Sequence, residues 1–247
     1  MKESLRSRGW TNMLLLSVDS SAAPASVCLC EDGKVIADFY LNTGFTHSQT
    51  LMAMTESVLK ISGKSAYDID VYAVNSGPGS FTGVRIGVSA VKGIAYAADK
   101  PCVEVSTLES MAYNFLGSHA VICACMDARR SQVYNAVFRV DGTQVERISE
   151  DRAIAIDDLL NELKWLDGEI ILAGDGAELV FNSADDPGIH LASDNLRFQR
   201  ASSVAMAALE KYNRGESVSP AALMPRYLRL SQAERERNAK TEKEGFE

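Results

Sequence analysis

A chain of 247 residues with 46% hydrophobic and 23% charged residues is typical of a soluble globular protein and is long enough for two modest lobes. Its formal net charge of −8 argues against a protein that grips nucleic acid by itself, because phosphate contacts need a clustered positive surface. No apolar run approaches the roughly 20 residues that span a bilayer, and residues 1–12 lack a signal-peptide core, so we expect a cytoplasmic protein.

The first half of the chain predicts the element order βββαβαβα. A hairpin turn is indicated by Asp32-Gly33, and a capping-box pattern opens with Thr46. The predicted strands cover residues 13–18, 25–30, 35–40, 71–74 and 102–105, and the predicted helices begin at Thr46, Val84 and Leu108.

The second half predicts the same order, with a second hairpin turn at Asp141-Gly142 and a helix cap near Asp157. Its strands cover residues 120–126, 132–140, 143–148, 169–172 and 188–191, and its helices cover 156–165, 175–181 and 202–212. No residue-level repeat is visible, so the duplication rests on element order alone. Two such lobes are typical of the actin-like ATPase superfamily, an α/β (ASKHA, ribonuclease H-like) fold in which nucleotide normally lies between the lobes.

This order also predicts the domain organisation. We expect an N-terminal lobe over residues 13–106 and a C-terminal lobe over residues 107–215. A tail follows over residues 216–247, and its end is expected to be disordered because it is dense in mixed charge and lacks apolar anchors.

The glycine-rich segment 75–87 joins a predicted buried strand to a predicted helix. Glycine lets the backbone adopt positive φ and lets another group approach closely, and Ser80 or Thr82 can cap the helix. Such a segment can bind an anion at the helix N-terminus, or it can form a tight strand-to-helix corner. It contains neither a G-x-x-x-x-G-K-[ST] nor a G-x-G-x-x-G motif, which favours the corner.

Candidate catalytic and metal-binding residues are sparse. The three histidines, His47, His119 and His190, are far apart in sequence, so no shared metal site is predicted. The corner also lacks the G-x-S-x-G spacing of a hydrolase nucleophile. The five cysteines include two C-x-C pairs, which are predicted to be small buried hydrophobic residues.

Several segments together resemble the TsaB family, also called YeaZ, whose bacterial members are needed to make threonylcarbamoyladenosine in tRNA. The matching segments are residues 15–21, 46–49 with Leu51, 77–87, Lys92-Gly93, 126–129 with Val133-Tyr134, 174–177 and 225–229. The family usually starts near Met13, so residues 1–12 are interpreted as an N-terminal extension. The chain departs from the pattern at the turn after Asp19 and after Arg129.

The resemblance implies a non-catalytic scaffold and activator of TsaD, not an enzyme. TsaD would transfer the threonylcarbamoyl group to adenosine at position 37 of tRNAs that read codons starting with A. The family implies a TsaD heterodimer, TsaE as a third component and tRNA reached through the complex. Both a homodimer and a monomer stay open for the protein when it is alone. The rival hypotheses are an ATPase or kinase-like enzyme that uses the cleft between the lobes, and a metallopeptidase-like protein.

The resemblance places the dimer or partner surface on helices 47–61 and 82–98. The predicted interface residues are His47, Leu51, Met54, Phe81, Thr82, Arg85, Ile86 and Gly87. Gly83, Gly87 and Ala90 also form a narrow small-residue face on which another helix could pack closely. No resident cofactor or metal is predicted. Weak or partner-dependent contact with ATP or ADP stays open, with the candidate residues Asp19, Ser20, Ser21, Gly174 and Gly176.

Overall fold

The computed structural model describes residues 13–229. The predicted N-terminal extension, residues 1–12, and the end of the predicted tail, residues 230–247, lie outside the described residues. Within residues 13–229, no helix combines the length and the apolar character that crossing a membrane requires.

The first sheet follows the predicted strands closely. Its strands are β1 (Leu14–Asp19), β2 (Ala25–Glu31), β3 (Lys34–Leu41), β4 (Val71–Gly77) and β5 (Cys102–Ser106). They lie in the order β3-β2-β1-β4-β5. The pairs β1–β2 and β2–β3 are antiparallel, whereas β1–β4 and β4–β5 are parallel. Strands β1 and β4 are buried along their whole length, including their polar residues.

The second sheet repeats this arrangement strand for strand. Its strands are β6 (His119–Asp127), β7 (Gln132–Asp141), β8 (Gln144–Arg147), β9 (Arg152–Ala155), β10 (Ile170–Ala173) and β11 (Ile189–Leu191). The path β8-β7-β6-β10-β11 has the same order and the same parallel and antiparallel pairs as the first sheet. The prediction of a two-lobed, duplicated actin-like α/β fold is therefore confirmed. Strand β9 was not predicted, because its four residues gain strand geometry only by pairing with β7.

The helices cover both sheets. They are α1 (His47–Ile61), α2 (Phe81–Ala98), α3 (Thr107–Ala112), α4 (Ile156–Leu163), α5 (Ala177–Phe181), α6 (Asp194–Arg197) and α7 (Ala201–Asn213). Helices α1 and α2 bury one face of the first sheet, and α4 and α5 bury one face of the second sheet. The short helix α6 was not predicted.

Of the three predicted helix caps, the structure confirms one and contradicts two. Ser80 is confirmed as the cap of α2, because its Oγ accepts a hydrogen bond from the Gly83 amide at 3.2 Å. The capping box at Thr46 is wrong, since the Thr46 side chain makes no capping bond and the Gln49 amide donates to the Thr46 carbonyl instead. The cap of α4 is Ala155 and not Asp157, which lies inside the first turn.

Helix α7 returns the chain to the first sheet. Its apolar face packs on the side of that sheet opposite α1 and α2. Separately, all five cysteines are buried and free, as predicted. The Ser17 Oγ donates to the Ala201 carbonyl at 2.6 Å, and the Ala201 amide donates to Ser26 Oγ at 2.8 Å. The predicted C-terminal lobe, residues 107–215, includes α7 because α7 comes late in the chain. In the structure α7 packs on the first sheet, so it completes the core of the first lobe.

Candidate functional site: the glycine corner and the surface of helix α2

The glycine corner is filled by the chain's own backbone. A Cβ built on Gly79 would lie 2.3 Å from the Ser21 carbonyl oxygen, and one on Gly83 would lie 2.1 Å from the Ser20 carbonyl oxygen. The Ser80 amide donates to the Ser21 carbonyl at 2.7 Å. These glycines therefore serve close packing against the β1–β2 turn, as the corner interpretation predicts.

The same turn covers the small-residue face of α2. A Cβ on Gly87 would lie 2.5 Å from Ser20 Oγ, which itself donates to the Gly83 carbonyl at 2.9 Å. The prediction that another protein's helix packs closely on Gly83 and Gly87 is wrong, because both glycines face the β1–β2 turn. A large residue at Gly87 would disturb the chain's own fold before it disturbed a partner.

The β1–β2 turn holds a buried carboxyl group. Asp19 Oδ1 accepts hydrogen bonds from Ser21 Oγ and from Asn75 Nδ2, both at 2.7 Å. Burial raises the pKa of Asp19 above its usual range, although these hydrogen bonds and His47 act in the opposite direction. Asp19 Oδ2 has no hydrogen-bond partner among the described residues. The side chains of Asp19, Ser20 and Ser21 are thus all directed into the protein.

The two remaining nucleotide candidates lie in the second lobe. A Cβ on Gly174 would lie 2.0 Å from the Cys125 carbonyl oxygen, and one on Gly176 would lie 2.8 Å from the Asp127 amide nitrogen. Within residues 13–229, no hydrogen bond joins Gly174 or Gly176 to the β1–β2 turn. Nucleotide contact at these five residues stays a prediction.

Asp175, next to these glycines, is an exposed residue. Its Oδ1 accepts a hydrogen bond from the Asp127 amide at 3.2 Å. Desolvation by the surrounding protein atoms raises the pKa of Asp175, and the nearby Asp127 carboxylate adds to that rise. The turn between β10 and α5 is therefore held to the end of β6 by both glycine packing and a side-chain hydrogen bond.

The predicted interface residues divide into buried and accessible ones. Leu51 and Met54 pack in the core between α1 and the first sheet, so their side chains face inward. His47 is half-buried, with its Nε2 2.7 Å from the Ala22 carbonyl oxygen, and thereby ties α1 to the β1–β2 turn. The accessible ones lie on the first turns of α2, where Thr82 and Arg85 are exposed and Phe81 and Ile86 are half-buried.

Part of the tail lies on this exposed end of α2, which the sequence analysis did not predict. The Tyr227 ring stacks on the Phe81 ring, with centroids 4.9 Å apart. The Arg85 guanidinium lies 3.8 Å above the Phe81 ring centroid, and its Nε donates to the Tyr227 hydroxyl at 2.7 Å. The signal for this contact was the segment 225–229, which resembles a family motif although it lies beyond the predicted lobes.

Polar contacts fix the tail along both lobes. The Arg226 amide donates to the Ser76 carbonyl at 2.7 Å, and the Arg226 guanidinium pairs with Glu104 at 2.9 Å. Three residues later, Arg229 Nη1 donates to the Ala128 carbonyl at 3.0 Å. The tail therefore runs from the glycine corner of the first lobe to the β6–β7 turn of the second.

The histidines lie on separate elements. His47 lies on α1, His119 on β6 and His190 on β11. Among residues 13–229, no group of three or more histidine, cysteine, aspartate or glutamate side chains is placed to hold a metal ion.

Comparison with known proteins decides the family. A family model described as TsaD, tRNA N6-adenosine threonylcarbamoyltransferase, matches residues 43–236. The tRNA threonylcarbamoyladenosine biosynthesis protein TsaB of Escherichia coli is 31% identical over 220 residues, which cover 88% of this chain and 95% of that relative. The chain belongs to the TsaB family.

A solved structure agrees with this assignment to the TsaB family. YeaZ from Pseudomonas aeruginosa has 25% sequence identity and a TM-score of 0.75, over 87% of this chain and 100% of that one. Similarity also extends to transferases named TsaD. The tRNA N6-adenosine threonylcarbamoyltransferase of Chlamydia abortus is 26% identical over 212 residues, which cover 75% of this chain and 62% of that relative. The match to Escherichia coli TsaB covers more of both proteins.

Proposed function

We propose that this chain is the non-catalytic subunit that supports a TsaD transferase in making threonylcarbamoyladenosine at position 37 of tRNAs that read codons starting with A. The observation that carries the proposal is the filled β1–β2 turn. In actin-like ATPases the corresponding turn holds phosphate. Here Ser20 Oγ donates to the Gly83 carbonyl and Ser21 Oγ donates to Asp19, so both hydroxyls are already engaged.

The surroundings of that turn support the same conclusion. Helix α2 begins where a phosphate would approach, yet the Ser80 amide donates to the Ser21 carbonyl and the Gly83 amide donates to Ser80 Oγ. Amide groups that bind the protein itself are not available to an anion. A protein built in this way acts through what it binds on its surface and not through chemistry in its cleft.

The surface that would receive TsaD is the outer side of α1 and the first turns of α2. Apolar side chains are exposed along α1, with Met52 49% and Ile61 73% exposed. Together with Phe81, Ile86 and Arg85 they give the mixture of apolar and arginine side chains that is common at interface cores. In this proposal the heterodimer forms in the cytoplasm, TsaE joins it, and a homodimer uses the same surface when TsaD is absent.

Reconstitution with purified components tests the proposal. The chain is combined with TsaD, TsaE, threonylcarbamoyl adenylate and tRNA, and threonylcarbamoyladenosine is measured by mass spectrometry of digested tRNA. We expect product only when TsaD is present, and much less product when this chain is left out. Product formed by the chain in the absence of TsaD would refute a non-catalytic role.

Titration calorimetry with ATP and magnesium addresses the rival enzyme hypothesis. Since the hydroxyls of Ser20 and Ser21 and the amides of Ser80 and Gly83 are engaged, we expect no micromolar binding to the isolated chain. If nucleotide binding depends on the partner, heat of ATP binding should appear with the complex of this chain and TsaD but not with the isolated chain. Micromolar binding together with ATP turnover by the isolated chain would favour the actin-like ATPase instead.

A further inference from the structure

Arg85 is the most tightly held side chain on the exposed end of α2. Its guanidinium lies over the Phe81 ring, and Tyr227 approaches it from a second side, with the ring centroid 5.6 Å away. The hydrogen bond from Nε to the Tyr227 hydroxyl, at 2.7 Å, fixes the rotation of the guanidinium plane. Flat stacking and one hydrogen bond together leave this flexible side chain little freedom to lose when it binds a partner.

The outer edge of this guanidinium has no partner within residues 13–229. Its Nη1 and Nη2 atoms make no hydrogen bond or ion pair there, although the side chain is exposed. Several other arginines of the chain pair with its own carboxylates, namely Arg147, Arg152, Arg197 and Arg226. The chain has 33 acidic and 25 basic residues, yet among residues 13–229 none of the acidic side chains pairs with the fixed guanidinium of Arg85.

We propose that Arg85, held by Phe81 and Tyr227, is a receptor for a carboxylate that the TsaD partner presents. The two terminal nitrogens of a guanidinium match the two oxygens of a carboxylate, and such paired hydrogen bonds are both strong and directional. This inference rests on the proposed function, because it names the chemistry that the partner must bring to the same surface.

The surroundings of Arg85 favour a protein carboxylate over an RNA phosphate. Tyr227, which contacts Arg85, is 43% exposed, and the same tail segment exposes the apolar side chains of Met224 (58%) and Leu228 (37%). An acidic residue flanked by apolar ones would bury these groups while it pairs with Arg85. The net charge of −8 works against RNA phosphate at an isolated arginine.

The assignment also gives the tail a role. Tyr227 supplies both the second aromatic ring and the hydroxyl that fixes Arg85 Nε. Tail segment 224–229 therefore fixes the orientation of Arg85 on the surface of α2. Tyr227 is a positioning residue, and its effect on binding should follow from its effect on Arg85.

Calorimetric titration of TsaD into purified variants of the full chain tests the proposal. We expect Arg85→Lys to weaken binding about 30-fold, because lysine keeps the charge but loses the paired hydrogen bonds and the stacking. Tyr227→Phe should weaken binding about threefold, since it keeps the ring and loses only the hydroxyl. The control Arg139→Lys, at an exposed position on β7, should bind within twofold of the parent. Circular dichroism melts establish that each variant is folded.

Arg85→Lys also allows the partner carboxylate to be located. At saturating TsaD, carbodiimide should link position 85 to an aspartate or glutamate of TsaD, and peptide mass spectrometry should identify it. The Arg139→Lys complex should give no such link.

Results that contradict the proposal distinguish the role of Arg85 from the proposed function. Parental affinity for Arg85→Lys overturns the receptor while the proposed TsaD partnership stands. Unchanged TsaD affinity with loss of tRNA retention, or with loss of self-association in sedimentation, overturns it in favour of RNA or of a second copy. Failure of the parent chain to bind TsaD overturns the proposed function and this inference with it.

Discussion

The two lobes share one topology but use equivalent corners differently. Helix α2 follows β4 and helix α5 follows β10. These two strands occupy equivalent positions in the paths β3-β2-β1-β4-β5 and β8-β7-β6-β10-β11. In the first corner glycines pack on Ser20 and Ser21, in the turn just after the first strand of the lobe. In the second corner they pack on Cys125 and Asp127, at the end of the first strand of that lobe. The shared packing gives these glycines a role in holding each corner to its own lobe.

The helices that begin at the two corners differ. The first corner leads into the long helix α2, whose outer face carries Arg85 and receives the tail. The second leads into a helix of only five residues. Within residues 13–229, both lobes thus contain this corner, and the first lobe extends it into the longer helix.

The largest effect should come from adding one methyl group in the first corner. Gly83→Ala places a Cβ 2.1 Å from the Ser20 carbonyl oxygen, where neither backbone segment can move freely. We expect the free energy of unfolding to fall by about 3 kcal/mol, as for severe overpacking. Chemical denaturation measures this change.

The matched control lies on the same helix. Gly93 has no atom within 4 Å of a built Cβ, so Gly93→Ala should raise stability by about 0.5 to 1 kcal/mol through helix propensity. Equal effects of the two substitutions would contradict the packing argument for the corner.

The equivalent change in the second lobe should be smaller. A Cβ on Gly176 would lie 2.8 Å from the Asp127 amide nitrogen, a milder clash than at Gly83. Gly176→Ala should therefore lower the free energy of unfolding by about 1 to 2 kcal/mol. A loss larger than that of Gly83→Ala would mean that the second corner is the more rigid of the two.

The carboxylates that end β1 and β6 offer a third comparison, through pH. Burial raises the pKa of Asp19 above its ordinary value of 3.8. As pH rises through about 4, the unfolded chain therefore releases this proton before the folded chain does, and the parent loses stability. Asp19→Asn keeps an oxygen that can accept from Ser21 and Asn75, and it removes this loss.

We expect Asp19→Asn to gain stability relative to the parent as pH rises above about 4, with little difference between them at lower pH. Urea unfolding at a series of pH values measures the two curves. Parallel curves across that range would contradict a raised pKa for Asp19.

The smallest effect should come from changing the equivalent carboxylate of the second lobe. Asp127 pairs with Arg129, whose side chain is 86% exposed, at 2.9 Å, and it also accepts from the Arg129 amide at 2.7 Å. Asp127→Asn should lower the free energy of unfolding by about 0.5 kcal/mol, as for an exposed ion pair. High salt should reduce the difference further, which thermal melts can follow.

Sequence reasoning predicted most of the fold, because the apolar residues of β1, β4 and β6 mark buried strands, and those of β6 form an unbroken run over residues 120–126. It missed β9 and α6, whose few residues adopt their structure through contacts with distant parts of the chain. It also could not assign α7 to the first sheet, since an apolar stripe predicts burial but does not identify the surface that it buries.

The candidate site was less predictable for a related reason. The glycine motif indicated a place where something approaches the backbone, but glycine spacing does not say whether that group is a ligand or the chain itself. The spacing of Leu51 and Met54 fits an interface and a core equally well, and the structure places both side chains in the core. Tyr227 lies 142 residues after Arg85, and no local pattern connects two residues so far apart.

The position of α7 bears on how the protein is made. Residues 201–213 supply the layer that covers one face of the first sheet, although that sheet is synthesised first. During translation this face of the first sheet therefore stays exposed to solvent until residues 201–213 have left the ribosome. Nascent chains stalled before residue 201 should accordingly be the ones that chaperones hold longest.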